Sequence, residues 1–325
     1  MSSINVTGAD LLADGRVLIV GSANKPLGDD AIAWVETRKQ GWKQVKSEAF
    51  ANRGESGYGS LFPNDVGVGP QAIAMPAGGY SDGESEVHPL RSTSDGEFWA
   101  PLISAGAADV EQQGEGTRYR DYRAPLDGDI SMNSVSVTRG GFVLGGSRTP
   151  AGRGAIPVIW RGDASLSTLP LSTTLPKPRG AYGASVSVQA ARGRTIVLAG
   201  TTWASAGQPD PGWASWVSRN GGRTWQVGRP VAESRVQVSD LVAVPDGFVA
   251  LGSTGPSADT DAAVWFSPDG LRWSEVDVEL DRARGPGTQS FTSGIVDGDE
   301  LRLVGYDVPP TGGGPYTTSI PLPAG

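Results

Sequence analysis

Three observations predict an all-β fold, a six-bladed β-propeller of four-stranded antiparallel blades. An apolar run closing on glycine recurs six times, as RVLIVGS (16–22), QAIAMPAGG (71–79), GFVLGGS (141–147), RTIVLAGT (194–201), GFVALGS (247–253) and ELRLVGY (300–306). The interval is regular: Gly146, Gly200, Gly252 and Gly305 lie 54, 52 and 53 residues apart. Tryptophan recurs at two fixed places after the run. Short β-units at this spacing each leave an apolar face uncovered, and radial stacking into blades covers it. Helical solenoids would show 3.6-residue apolar spacing, which is missing.

Each unit reads as strands A to D. In the copy from Val238, strand A is VSDLVAV, a DG turn leads into strand B, GFVALGS, and a loop leads to strand C, DAAVWFS. Strand D opens at LRWSEV after a tight turn. The N-terminal copy follows the same plan, with TGADLLADGRVLIVGS, a loop, DAIAWVETRKQG and WKQV. The blades fall at about 1–50, 51–102, 128–172, 180–230, 235–280 and 287–325 of a single domain, with 103–127 inserted. Counting the insert as a disguised blade gives the seven-bladed alternative. The sixth repeat supplies A, B and a C strand at 316–321 but no evident D strand.

Composition agrees. Gly (47) and Pro (24) exceed a fifth of the 325 residues without a collagen period, which suits many tight turns. Ten Trp supply core material that a disordered chain lacks. The net charge of −8 and the lack of any Lys/Arg block exclude nucleic acid as a partner. Cysteine is absent, so there is no disulfide framework, thiolate metal site or cysteine nucleophile. No apolar stretch approaches the ~20 residues that span a bilayer, so no direct membrane insertion is expected. The start, MSSINVTGADLLADG, lacks a signal-peptide pattern and enters repeat material at once. That suits a secreted or surface domain whose leader or anchor is absent, with a cytoplasmic location as the alternative. The excess of Arg over Lys points to a bacterial source.

Trp34, Trp160, Trp216 and Trp265 hold the C-strand position, and Trp42, Trp99, Trp225 and Trp273 the D-strand position. All eight are expected to fill space between blades. The turn Ser218-Arg219-Asn220-Gly221-Gly222-Arg223-Thr224-Trp225 resembles the Asp-box (BNR) motif S-x-D-x-G-x-T-W, with Asn in place of Asp. Ser267-Pro268-Asp269-Gly270-Leu271-Arg272-Trp273 and Ser94-Asp95-Gly96-Glu97-Phe98-Trp99 are shortened relatives. The resemblance is to Asp-box propellers of the sialidase-like superfamily. It implies a folding device in which the Asp or Asn caps its own turn and the Gly accepts positive φ. It also implies that these turns sit away from the working face.

Sialidase-like hydrolysis would need an arginine triad, a Tyr nucleophile with a Glu partner, and an Asp acid/base. The Arg-Ile-Pro signature of that group is missing, since Arg153-Gly154-Ala155-Ile156-Pro157 has the wrong spacing. Tyr119 and Tyr122 lie near Glu111 and Glu115 in the insert. His88, the one histidine, precedes a proline and reads as a solvated loop residue, and no histidine metal site is available. Asp259-Thr260-Asp261 and Asp297-Gly298-Asp299-Glu300 lack the spacing of a Ca²⁺ loop. No catalytic residue, metal or cofactor is therefore expected.

In a propeller the B–C and D–A connections share one face. The B–C segments 23–30, 80–88, 148–155, 202–212, 254–261 and 307–315 all read as long, and long loops carry function. On that face Trp203 and Trp213, outside the repeat, are candidate anchors for a sugar or a protein. Arg53, Arg123, Arg179, Arg235 and Arg284 recur ahead of the A strands, where they could hold a carboxylate or sulfate or pair with loop carboxylates. Tyr119 and Tyr122 in the insert suit a protein contact. The expectation is a non-catalytic extracytoplasmic scaffold that recognises a protein or glycan partner. The alternatives are a divergent sialidase-like glycoside hydrolase and an extracytoplasmic domain of a larger membrane or secretion-system protein.

Overall fold

The computed structural model describes residues 4–26, 28–37, 41–51, 59–81, 84–87, 90–96, 99–101, 129–166, 173–206, 212–228, 235–256, 258–278, 282–308 and 313–322. It is an all-β, six-bladed propeller of small antiparallel sheets. A 3-10 turn, Glu48–Phe50, is the only helical element among the described residues, so no helix there is long and apolar enough to cross a membrane. The chain divides into two compact units, Met1–Ala151 with Val158–Thr174, and Gly152–Pro157 with Leu175–Gly325.

In the first unit, blade 1 pairs Ile4–Leu11, Val17–Lys25, Gly28–Thr37 and Gly41–Val45 in sequence order. Lys25 pairs with Gly28, so the expected long loop at 23–30 is a tight hairpin. Blade 2 is split. Gly67–Val68, Ala72–Met75, Leu90–Thr93 and Trp99–Pro101 make one sheet, and Gly59–Pro63, Ala77–Ser81 and Glu84–Val87 make another. The cause is Pro76, which lacks the N–H that a continuous B strand needs and falls between Met75 and Ala77. Ser81 pairs with Glu84, so the 80–88 segment is also partly a hairpin rather than a long loop. Blade 3 comprises Asp129–Thr138, Gly141–Thr149, Ile156–Gly162 and Thr173–Thr174. Its core gathers Met132, Phe142, Leu144, Val158 and Trp160.

In the second unit, blade 4 has a two-piece A strand, Gly183–Ala184 and Val188–Arg192, against Thr195–Trp203, followed by Gly212–Ser218 and Gln226–Val227. Blade 5 comprises Val236–Val244, Gly247–Thr254, Asp261–Ser267 and Ser274–Val276. Blade 6 has three strands among the described residues, Thr288–Asp297, Glu300–Val308 and Gly314–Pro321.

The recurring glycine has one physical cause. Strand A carries a bulge at Val6/Gly8, Met132/Ser134, Val238/Asp240 and Phe291/Ser293. The bulge lowers an A-strand carbonyl onto the B strand. A Cβ at Gly21, Gly146, Gly200 or Gly252 would collide with the carbonyl oxygen of Asn5, Ser131, Ser185 or Gln237.

Next to these bulges, aspartates staple one A strand to the next within each unit. Asp10 accepts from Leu11 N–H at 2.7 Å and Val68 N–H at 2.7 Å. Asp65 accepts from Val66 N–H at 2.8 Å and Val135 N–H at 2.8 Å. Asp240 accepts from Leu241 N–H at 2.7 Å and Gly294 N–H at 3.0 Å. Burial pushes Asp240 up to about 6, against the lowering pull of Gly294, Leu241 and Ser293. Burial also raises Asp10, opposed by its bonds from Val68 and Leu11.

The C–D turns close on their own polar side chains. Asn220 Oδ1 accepts from Arg223 N–H at 3.1 Å and Thr224 N–H at 2.9 Å, while Ser218 Oγ accepts from Gly222 N–H at 2.8 Å. Asp269 Oδ1 accepts from Leu271 and Arg272 N–H at 2.8 and 3.2 Å. The indole N–H groups of Trp99, Trp225 and Trp273 donate to the carbonyls of Gly96, Gly222 and Gly270, three residues back, at 2.9, 3.1 and 3.1 Å. Trp99, Trp160, Trp216 and Trp265 are buried as expected. Trp42 is not: it is 53% exposed.

Candidate functional site

Trp213 requires a correction. It is 1% exposed and packs against Trp265 and Trp273 with ring centroids 5.9 and 5.3 Å apart. It pairs with Thr201 inside the blade 4 ladder, so its ring turns inward and offers no surface to a ligand. Trp203, at the end of Thr195–Trp203, is half-buried.

The loop end of the second unit gathers a different set of side chains. There Thr260 forms a bridge to Thr288 on the A strand of blade 6. Thr260 N–H donates to Gly287 O at 3.0 Å, and Gln289 N–H donates to Thr260 O at 2.8 Å. Asp261 accepts from Gly285 N–H at 3.2 Å, and Asp259 from Gly287 N–H at 3.0 Å. Gly285 and Gly287 have φ of 133° and 111°, a region open to glycine but costly for other residues. These two aspartates therefore pin the 282–288 segment.

The pinned segment positions Arg282. Its Nε donates to Asp307 Oδ2 at 3.4 Å, one Nη donates to Gly314 O at 3.2 Å, and the guanidinium lies 4.5 Å over the Tyr316 ring. Tyr316 OH donates back to Arg282 O at 3.3 Å. Gln289 Nε2 donates to Asp307 Oδ1 at 3.2 Å, while its buried Oε1 has no partner among the described residues. Gly305, opposite Tyr316 in the ladder, leaves room for the ring: a Cβ there would stand 2.9 Å from the Tyr316 ring.

The electrostatics follow from this packing. The Arg282 side chain is 48% exposed and Asp307 17%, so the cation is open on one side while the carboxylate is enclosed. Burial raises the Tyr316 phenol, Arg282 lowers it and Asp307 raises it, for a net upward shift. Tyr316 is thus a protonated phenol at neutral pH, a proton donor rather than a phenolate nucleophile. The group offers an open guanidinium for an anion or hydroxyl, an acceptor carboxylate and a phenolic donor.

The other predicted residues lie elsewhere. Arg284 is exposed and pairs with Asp277 at 3.1 Å. Arg179 is exposed on the turn that Ala181 N–H closes onto Pro178 O. Arg235 is exposed, has φ of 72°, and its carbonyl accepts from Gly255 N–H at 3.1 Å. Arg53, His88, Glu111, Glu115, Tyr119, Tyr122 and Arg123 fall outside the described residues. Sequence reading missed Arg282, Gln289, Asp307 and Tyr316. One signal was present: opposite the repeated glycine the C strands carry Ile32, Ala214 and Ala263, but blade 6 carries Tyr316.

The first unit carries a polar cleft of about 270 Å³, lined among others by Asn64, Asp129, Ser131, Ser147 and Thr149. A cavity of about 430 Å³ in the second unit lies at the turn end, lined by Gln226, Val227, Leu271 and Arg272. Among the described residues its lining contains neither an acid nor an aromatic side chain.

No family model and no curated protein matches the chain. Solved structures do. The GH93 α-L-arabinofuranosidase of Fusarium graminearum, in complex with arabinobiose, matches at 13% identity and TM-score 0.57, over 98% of this chain and 93% of that one. The α-L-arabinanase of Penicillium chrysogenum, also with arabinobiose, matches at 13% and 0.57, over 99% of each chain. A PL25 ulvan lyase bound to -[GlcA(1-4)Rha3S]- matches at 10% and 0.55, over 91% of this chain and 76% of that one. At such identities the likeness establishes the fold. The expectation of a non-catalytic binding or scaffolding propeller is corrected here, because the arabinofuranosidase, the arabinanase and the ulvan lyase that share the fold are enzymes. The alternative of a glycoside hydrolase accords better with them.

Proposed function

We propose that this chain is a glycan-active propeller enzyme, a divergent glycoside hydrolase that works at the loop end of its second unit. The observation that carries the reading is the convergence of Arg282, Gln289, Asp307 and Tyr316, from three separate segments, around a half-open cation. In this reading Arg282 pairs with Asp307 and orients the saccharide, Asp307 accepts the proton of the attacking water, and Tyr316 donates one to the leaving oxygen. Gln289 is a positioning residue, fixing Asp307 through its Nε2. The glycan-cleaving propellers that share the fold support the substrate class. The turns at 94–99, 218–225 and 267–273 are read as Asp-box repeats with a folding role, and the site of action as extracellular.

The test is a panel of arabinan, polyuronates, sulfated polysaccharides and aryl glycosides, assayed with the parent, Arg282→Ala, Asp307→Asn and Tyr316→Phe. The expected result is product from at least one substrate and a loss of roughly 100-fold in each variant. No product from any substrate, or variants as active as the parent, would overturn the reading. An unsaturated sugar in the product would mark elimination instead of hydrolysis.

A further inference from the structure

Blade 4 carries a second, separate grouping at the loop end of the same unit. Tyr182 is 38% exposed and sits directly before Gly183, which pairs with Trp203. Tyr182 N–H donates to Trp203 O at 2.6 Å, so the backbone of Tyr182 is anchored to the strand end that carries Trp203. Gly154 makes the room: a Cβ there would lie 2.9 Å from Tyr182 Cδ1. Ala184 N–H donates to Ala155 O at 2.8 Å and holds the 152–157 segment against this edge.

Cations surround the pair. Lys177 Nζ donates to Tyr182 O at 3.2 Å. Arg179 projects from the Pro178–Ala181 turn, where Gly180 has φ of 80°, and Arg153 immediately precedes Gly154. All three are exposed, and among the described residues no ion pair engages them. The described segments that build this edge, 152–157, 175–188 and 200–206, contain no Asp or Glu. In a chain of net charge −8, an edge whose described residues carry three cations and no acid is a local reversal of the surface charge. Arg282 and Arg284, by contrast, are each matched to an aspartate.

We infer that Tyr182 and Trp203, with Lys177, Arg179 and Arg153, form a binding platform for an anionic saccharide. The inference rests on the glycan-active reading and adds the charge of the substrate. Aromatic faces accept the C–H face of a sugar ring, and the cations take its carboxylate or sulfate, with Arg able to do so bidentately. Because the cations are exposed, binding weakens as salt rises.

The test is electrophoretic retardation of the full chain in gels containing oligogalacturonate, a sulfated galactan or neutral arabinan. The parent is compared with Arg179→Ala, Tyr182→Ala and Trp203→Ala, and thermal unfolding confirms that each variant is folded. Retardation by a carboxylated or sulfated glycan, weakened roughly tenfold in Arg179→Ala and Tyr182→Ala, is the expected result; the gel that retards identifies the anion. Retardation by arabinan alone, equal retardation of parent and folded variants, or none at all would overturn the platform. Product release is scored separately. Anion-dependent retention without product sinks the enzymatic reading and leaves the platform standing, while product with unaltered retention in the variants does the reverse.

Discussion

The two ends of the second unit use polar residues in opposite ways. At the turn end, Asn220 and Asp269 spend their side-chain oxygens on their own backbone, and Trp225 and Trp273 return their indole N–H groups to glycines in the same turns. Little is left over for a ligand. At the loop end, Asp259 and Asp261 do similar folding work, but the segment they pin presents Arg282 half-open above Tyr316. A motif that satisfies itself is a folding device. A cluster with spare donors on a rigid support is a site.

The largest expected effect on stability belongs to the turn end. Trp273→Ala removes a ring packed on Trp213 and a bond to Ser215, and is expected to cost about 3 kcal/mol in denaturant unfolding. Arg282→Ala is expected to shift stability by less than about 1 kcal/mol, the usual worth of an exposed ion pair, while abolishing most activity. If Arg282→Ala destabilised the fold as much as Trp273→Ala, the contrast between the ends would collapse.

The pH response sharpens the comparison within blade 5. Asp240, raised to about 6, disfavours the folded state once ionised, so its contribution improves as pH falls from 7 toward 4. Burial would raise Asp269 too, but bonds from Leu271, Arg272 and Ser267 and the charge of Arg219 hold it below the ordinary value of 3.8. Asp269 therefore stabilises the fold above that value and loses its effect as pH drops below it. Urea midpoints at pH 7 and 4.5 for the parent and Asp240→Asn test the first sign: the parent should gain, relative to the variant, on acidification. A relative loss would refute it.

The smallest effect concerns the turn itself. Asn220→Ala should cost about 1 kcal/mol in thermal unfolding, the typical value of a lost cap. Asn220→Asp should be nearly neutral, since Thr224 Oγ1, now an acceptor from Nδ2, can donate instead.

Much of the architecture was legible because it is written locally. The glycine of strand B, the DG turns and the indole bonds to glycines three residues back follow from contacts inside one blade, and they repeat. Pro76 was also visible, and its splitting of blade 2 follows from a missing N–H. The candidate site was not legible. Arg284 was singled out for its place ahead of an A strand, whereas Arg282, two residues earlier, is the one that reaches Asp307 and Tyr316. Trp213 and Trp203 looked equivalent in one loop, yet packing against Trp265 and Trp273 buries the first.

The sequence by itself determined the repeat, the strand order within most blades and the turns that close them, because hydrogen-bond period and steric limits act over a few residues. Only the tertiary structure decided which polar side chains remain available. That choice depends on segments 25 and 34 residues apart, Arg282 to Asp307 and Arg282 to Tyr316, meeting in one register, and a one-residue slip would turn each side chain to the other face of its sheet.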